Sequence, residues 1–157
     1  MCSSDLDAEA PIEQLLDQVK ASPLMKGADL SADVSTTNAY VVPAVGEKKY
    51  TVAAVDLGIK AMTPHMMAER GIEVHVVPAN ISAEKLLEIG VDGVFFSNGP
   101  GDPATAHHAV ALAEATLAAR RPFFGICFGN QILGRALGFE TRSEEHTSEL
   151  QSHHDLV

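Results

Sequence analysis

The order of apolar runs and helical stretches along this 157-residue chain predicts an α/β fold built on a parallel sheet. Short apolar runs of strand length recur at residues 51–56, 73–78, 93–97 and 122–126. Between them lie stretches of helical length that carry their own start and stop residues. Each run therefore rejoins the sheet after a crossover, which makes neighbouring strands parallel and covers both faces with helices.

Taken in order, each element has a local cause. The first run leads to a helix for which Thr63 offers a capping hydroxyl, Pro64 suits the first turn and Gly71 supplies a stop. The second run ends ahead of a helix capped by Ser82. The third meets the loop Asn98-Gly99-Pro100-Gly101-Asp102-Pro103 and then a helix over residues 104–119, whose apolar face is Val110, Leu112 and Leu117 and whose His107 and His108 point to solvent. Met66 and Met67 read as core packing. The fourth run feeds Cys127 and the helix after it. Upstream of residue 49 the pattern changes: Ile12, Leu15, Leu16 and Val19 keep a helical period, residues 22–30 are loop-rich, Val34-Ser35-Thr36-Thr37 follows, and residues 43–49 read as a linker.

Both ends resemble translated sequencing-adapter DNA, at residues 1–6 and 142–157, and are set aside as artefact, leaving residues 7–141. Five carboxylates and one arginine leave with them, which takes the formal charge from −10 to −6. A mildly acidic chain without a basic patch argues against nucleic acid or an anionic membrane as partner, so a small ligand is expected. The cluster His153-His154-Asp155 falls in the discarded tail, and no metal site is expected. Cys2 goes too. Cys127 is then the one remaining cysteine, which excludes an internal disulfide and fits a reducing cytoplasm. No apolar run reaches membrane-span length, and the start lacks a signal pattern.

The chemistry concentrates at Gly125-Ile126-Cys127-Phe128-Gly129, the thiol counterpart of the Gly-x-Ser-x-Gly nucleophile elbow. Such a strand-to-helix turn forces the side chain out at the end of a sheet, and flanking glycines avoid collisions in so tight a bend. A helix N-terminus also favours a thiolate. The loop 98–103 leaves the same end of the sheet, where ligands gather in parallel α/β folds. Gly99 or Gly101, together with the Phe128 amide, are candidates to stabilise charge on a carbonyl attacked by Cys127. Taken alone, each signal has an ordinary structural explanation: a small buried side chain for Cys127, a tight turn for residues 98–103, a helix cap for Gln131. Together they favour a catalytic site.

The segments Phe124-Gly125-Ile126-Cys127-Phe128-Gly129-Asn130-Gln131 and Ser97-Asn98-Gly99-Pro100-Gly101-Asp102-Pro103 resemble the class I glutamine amidotransferases. Within that family the resemblance extends upstream to the glutaminase subunits of carbamoyl phosphate synthetases. Residues 22–37 look like the end of those subunits' amino-terminal domain, and Val55-Asp56-Leu57-Gly58-Ile59-Lys60 like the opening of the glutaminase domain. The resemblance implies a flavodoxin-like amidotransferase domain over residues 49–141, preceded at 7–48 by the end of a separate domain and its linker. It also implies that Cys127 forms a γ-glutamyl thioester from glutamine, that Gly99 and Phe128 provide oxyanion-hole amides, and that Gly101 and Gln131 bind the substrate. Ammonia would pass to a large synthetase subunit that uses ATP, magnesium and bicarbonate. No cofactor is expected in this chain, and none of its loops reads Gly-x-x-x-x-Gly-Lys-Ser/Thr.

One departure from the family pattern stands out. The cysteine of these enzymes works with a histidine oriented by a glutamate, in a His-x-Glu arrangement downstream of the elbow. No His-x-Glu follows Cys127 here, and His65, His75, His107 and His108 all precede it. The chain itself is therefore expected to lack useful turnover. Two other classes stay open on sequence grounds: the amidotransferases of anthranilate, GMP or CTP synthesis, and a non-catalytic flavodoxin-like module with a sensing cysteine.

Overall fold

The computed structural model describes residues 10–23 and 25–141. The adapter-like ends, with Cys2 and the His153-His154-Asp155 cluster, lie outside the described residues. In chain order the elements are α1 (Ile12–Ala21), α2 (Ser31–Val34), β1 (Tyr40–Val42), β2 (Tyr50–Asp56), α3 (Met62–Ala68), β3 (Ile72–Pro78), α4 (Ala83–Glu88), β4 (Gly93–Phe96), α5 (His107–Ala118), β5 (Phe123–Gly125) and α6 (Phe128–Ala136).

The five strands form one sheet in the order β1-β3-β2-β4-β5, as the alternating pattern predicts for its parallel part. Strands β3, β2, β4 and β5 are parallel neighbours. The chain leaves β2 toward β3 on one side and returns to β4 on the other. The switch point thus falls between β2 and β4, where ligands collect in open α/β sheets. Register fixes what meets there: Val55 pairs with Phe96, and Phe96 with Gly125, so the loops after β2, β4 and β5 leave the sheet side by side.

Side-chain alternation along the strands builds two cores. Ala53, Val55, Val94 and Phe96 pack under Leu86 of α4, Leu112 and Ala113 of α5, and Phe128 and Ile132 of α6. Ala54, Val74, Val76 and Phe95 face the other way, toward Val42 of β1 and Ala68 of α3. Each fully buried Leu, Ile or Phe contributes about 1.5–3 kcal/mol relative to exposure, enough to fix the register wherever one face is covered.

Several local expectations need correction. Thr63 does not cap α3; Ala61 holds that position without a side-chain bond, and Thr63 lies within the first turn, its N–H donating to Lys60 O. Pro64 sits in that turn, and Gly71 follows the helix at φ +81°. Ser82 caps α4 as expected, accepting from Lys85 N–H at 3.3 Å. Met67 packs on the second core, but Met66 is exposed, because the amphipathic face of α3 passes between them. Residues 103–105 form a turn, so α5 starts only at His107; His107 and His108 are exposed, and His108 Nε2 lies 2.9 Å from Ile81 O. The helix built on Ile12, Leu15, Leu16 and Val19 forms, yet its stripe buries nothing among the described residues.

Strand β1 was not legible in the sequence. Tyr40–Val42 runs antiparallel to β3 and extends the sheet on the side away from the switch point. Residues 43–49 link β1 to β2, with Val45 N–H on Ala68 O and Lys49 N–H on Gly71 O.

Candidate active site

Cys127 occupies a backbone conformation that side chains other than glycine rarely adopt, φ +52° and ψ −110°. Such residues cost about 1–3 kcal/mol and persist only where their surroundings enforce them. The surroundings here are explicit. Ile126 N–H donates to Phe96 O at 3.1 Å, Gly129 N–H donates to Ser97 O at 3.1 Å, and the Cys127 carbonyl accepts from Asn130 and Gln131 N–H at 3.0 and 3.1 Å. The bend is locked between β4 and the first turn of α6, and its thiol is exposed.

Glycine is required on both sides because neighbouring backbone leaves no room. A Cβ on Gly125 would stand 2.6 Å from the Gly129 carbonyl carbon, and one on Gly129 would be driven into the Phe96 carbonyl oxygen. Neither group is at the end of a flexible side chain. Close contact of α6 with β4 therefore depends on Gly129, and its contact with β5 on Gly125.

The loop after β4 carries the second half of the site. Ser97 is fully buried; its Oγ accepts from Leu57 N–H at 2.9 Å and donates to Asn98 O at 2.8 Å, while its carbonyl accepts from Gly129. One serine thus ties together the loops that follow β2, β4 and β5. Asn98 Nδ2 donates to Gly58 O at 2.9 Å. Gly99 lies so close to Leu57 that a Cβ would run into the Leu57 carbonyl oxygen. Gly101 has φ +109°, and a Cβ there would meet Ala28 O at 2.8 Å and Leu30 N at 3.1 Å.

Among the described residues, the N–H groups of Gly99, Gly101 and Phe128 donate to no protein acceptor. Phe128 N–H is the leading amide of α6, where the helix dipole favours negative charge. Gln131 is exposed on the same turn. The structure therefore puts Cys127, Phe128 and Gln131 on one elbow and braces it through Ser97 against the strand end that bears Gly99. Gly101 is set apart by its contact with the upstream segment. A shallow hollow of about 250 Å³ lies elsewhere, against Ala32, Ser35, Thr36, Thr37, Ala79 and Asn80.

Two carboxylates bind the upstream segment to this end of the sheet. Asp56, buried at the end of β2, accepts from Thr36 N–H at 2.8 Å through one oxygen and from Gly58 and Ile59 N–H at 2.9 and 2.8 Å through the other. Asp102 accepts from Gly27 and Ala104 N–H, each at 2.8 Å. Those bonds, Gly27 first, hold its carboxyl below the ordinary carboxylate range. Ser97 and Asp56 escaped sequence reasoning as site residues. The available signal was a small polar residue ending an otherwise apolar strand.

Among the described residues no helix is long and apolar enough to cross a membrane, and no group of three or more His, Cys, Asp or Glu side chains is placed to hold a metal ion.

Fold and site together define an α/β protein with a cysteine-bearing elbow beside the switch point of a parallel sheet. Residues 53–156 match the family described as glutamine amidotransferase class-I, and the chain belongs to that family. It is 67% identical over 127 residues to the carbamoyl phosphate synthase small chain of Streptomyces coelicolor, covering 81% of this chain and 33% of that protein. The same-named protein of Streptomyces avermitilis is 65% identical over 127 residues, with the same coverage. That of Corynebacterium diphtheriae is 56% identical over 134 residues, 85% of this chain and 35% of the relative. The chain spans about a third of the length of the curated relatives it matches.

Proposed function

We propose that this chain is the part of a glutamine-hydrolysing carbamoyl phosphate synthase small subunit that carries the nucleophile. The observation that carries the proposal is the exposed Cys127 at its enforced bend, followed directly by the uncommitted amide of Phe128, with the uncommitted amide of Gly99 on the loop after the neighbouring strand β4. The sulfur of Cys127 attacks the side-chain amide carbon of glutamine. Negative charge collects on the former carbonyl oxygen, where the two N–H groups receive it. The C–N bond then breaks, ammonia leaves with the proton given up by the Cys127 thiol, and a γ-glutamyl thioester remains. Water attacks the thioester, releasing glutamate and restoring the thiol. Gly101 and Gln131 hold the substrate.

The resemblance implies that a histidine oriented by a glutamate serves Cys127, and no His-x-Glu follows Cys127 in the sequence given. We assign residues 49–141 to the amidotransferase part and residues 7–48 to the end of the preceding domain with its linker, except that β1 within that stretch joins the amidotransferase sheet. Ammonia is passed, in the cytoplasm, to a large synthetase subunit, which uses ATP, magnesium and bicarbonate; this chain needs no cofactor of its own. Relatives at 56–67% identity named carbamoyl phosphate synthase favour that partner over the enzymes of anthranilate, GMP or CTP synthesis. A sensing cysteine would need no pair of free amides.

A full-length chimera tests the proposal: residues 10–141 replace the matching third of the Streptomyces coelicolor small chain. Glutamine hydrolysis that disappears with Cys127→Ser is the expected result. Turnover that survives the substitution would refute it.

A further inference from the structure

We infer that Asp102 is a positioning residue for the glutamine-binding loop, fastening residues 98–103 to the upstream segment 25–30 so that this segment becomes part of the site's frame. The inference deepens the amidotransferase reading and rests on it.

Gly99 packed on Leu57 and Asn98 bonded to Gly58 O hold the start of the loop, but its far end from Gly101 needs a restraint of its own, since groups that receive a developing charge or substrate must be held to within about 0.5 Å. Asp102 supplies the restraint. One carboxylate oxygen accepts from Ala104 N–H and closes the loop on itself; the other accepts from Gly27 N–H, 75 positions away in the chain. The main chain of Asp102 donates back to Ala28 O at 2.8 Å. Thr105 Oγ1 spans the same junction, donating to Asp102 O at 2.8 Å and reaching Ala28 O at 3.4 Å.

Gly101 fits the same account. The space a side chain would fill there is taken by Ala28 O and Leu30 N, so glycine at this position permits the upstream segment to seat. Arg135 on α6 and Lys26 add favourable fields at the Asp102 carboxylate, after its two backbone hydrogen bonds. An ionised acceptor makes stronger bonds to backbone N–H than a neutral one. The segment before the sheet therefore does more than lead into it: it sets where the Gly101 amide lies relative to Cys127.

The test uses the full-length chimera with Asp102→Ala and Asp102→Asn. Misplacement of a catalytic loop by about 1 Å costs on the order of 100-fold, and a fall of that size in kcat/KM for glutamine is expected for Asp102→Ala. Asp102→Asn, which keeps one acceptor oxygen, should lose less, and it carries the test if the alanine variant does not fold. Alkylation of Cys127 by iodoacetamide should stay unchanged, since thiol access does not depend on the loop. Hydrogen exchange at the Gly27 amide should accelerate. Undiminished kcat/KM in both variants, or a Gly27 amide unprotected in the parent, overturns the inference. Equal loss of iodoacetamide reactivity also overturns it, as general collapse. An inactive parent chimera sinks the amidotransferase reading and this inference with it; an active parent with insensitive variants sinks the positioning role alone.

Discussion

Gly129 lies against Phe96 so closely that a Cβ on Gly129 would stand 2.7 Å from the Phe96 carbonyl carbon. That contact joins the elbow helix to the central strand of the site, and it is backbone against backbone. It cannot relax by a rotamer change.

Gly129→Ala should therefore destabilise the fold by about 3 kcal/mol or more, at or beyond the upper end of overpacking costs. Gly134 lies further along the same helix, where an added methyl group would meet nothing within 4 Å, and it serves as the control. Gly134→Ala should stabilise by about 0.5–1 kcal/mol through helix propensity. Urea unfolding of the two variants checks the contrast, and equal effects would show that the close approach does not matter.

Asp56→Ala strands three backbone N–H groups, those of Thr36, Gly58 and Ile59. Hydrogen bonds to a charged acceptor are worth about 1.5–3 kcal/mol each, so a loss of at least about 2 kcal/mol is expected. Exchange at the Thr36 amide should rise well above that of the β2 ladder, reporting release of the upstream segment. An unaltered melt would mean that water replaces the carboxylate without penalty.

Acid should weaken the fold through two carboxyls. Asp102 is held low by Gly27 and Ala104 N–H, and Glu73 by hydrogen bonds from His75 and Lys48. Because both folded values lie below the ordinary 3.8 and 4.5, their stabilisation is complete above that range and is lost as pH falls through the lower folded values. Unfolding free energy measured between about pH 6 and 2 should decline on the acid side, and Asp102→Asn should flatten part of that decline. A profile unchanged by the substitution would remove Asp102 from the account. Both groups are partly exposed, so the effect should shrink with added salt.

Much of this architecture is written in the order of residues. Apolar runs of strand length, broken by a capping serine at position 82 and by glycine-rich loops, suffice for four parallel strands and for the elbow. Strand β1 escapes such a reading because three residues flanked by polar and proline positions carry no periodic signal, and its place depends on an edge left open by β3. Thr63 fails as a cap because α3 begins earlier, at Met62, without a capping side chain. The bracing roles of Ser97, Asp56 and Asp102 emerge only in the folded chain, since each reaches backbone groups 20 to 75 positions away. Sequence spacing records local partners, not those brought together by crossovers.

Strand β5 presents an edge with no partner among the described residues, and Phe124 on it is 64% exposed, stacked on one side only by Phe95 at 5.9 Å. Ile126, Leu137 and Phe139 are exposed nearby in sequence. Open strand edges with apolar side chains promote association. Expressed by itself, the chain should self-associate, and Phe124→Lys should shift sedimentation profiles toward monomer. A concentration-independent monomer before substitution would contradict this.

The most direct test of the central claim follows the sulfur. Full-length chimera is mixed with isotopically labelled glutamine, quenched in acid and digested. Label on the peptide that carries Cys127, released by hydroxylamine as a thioester would be and absent after Cys127→Ser, is the predicted result. Glutamine hydrolysis without label at Cys127, or label that persists in Cys127→Ser, would contradict it.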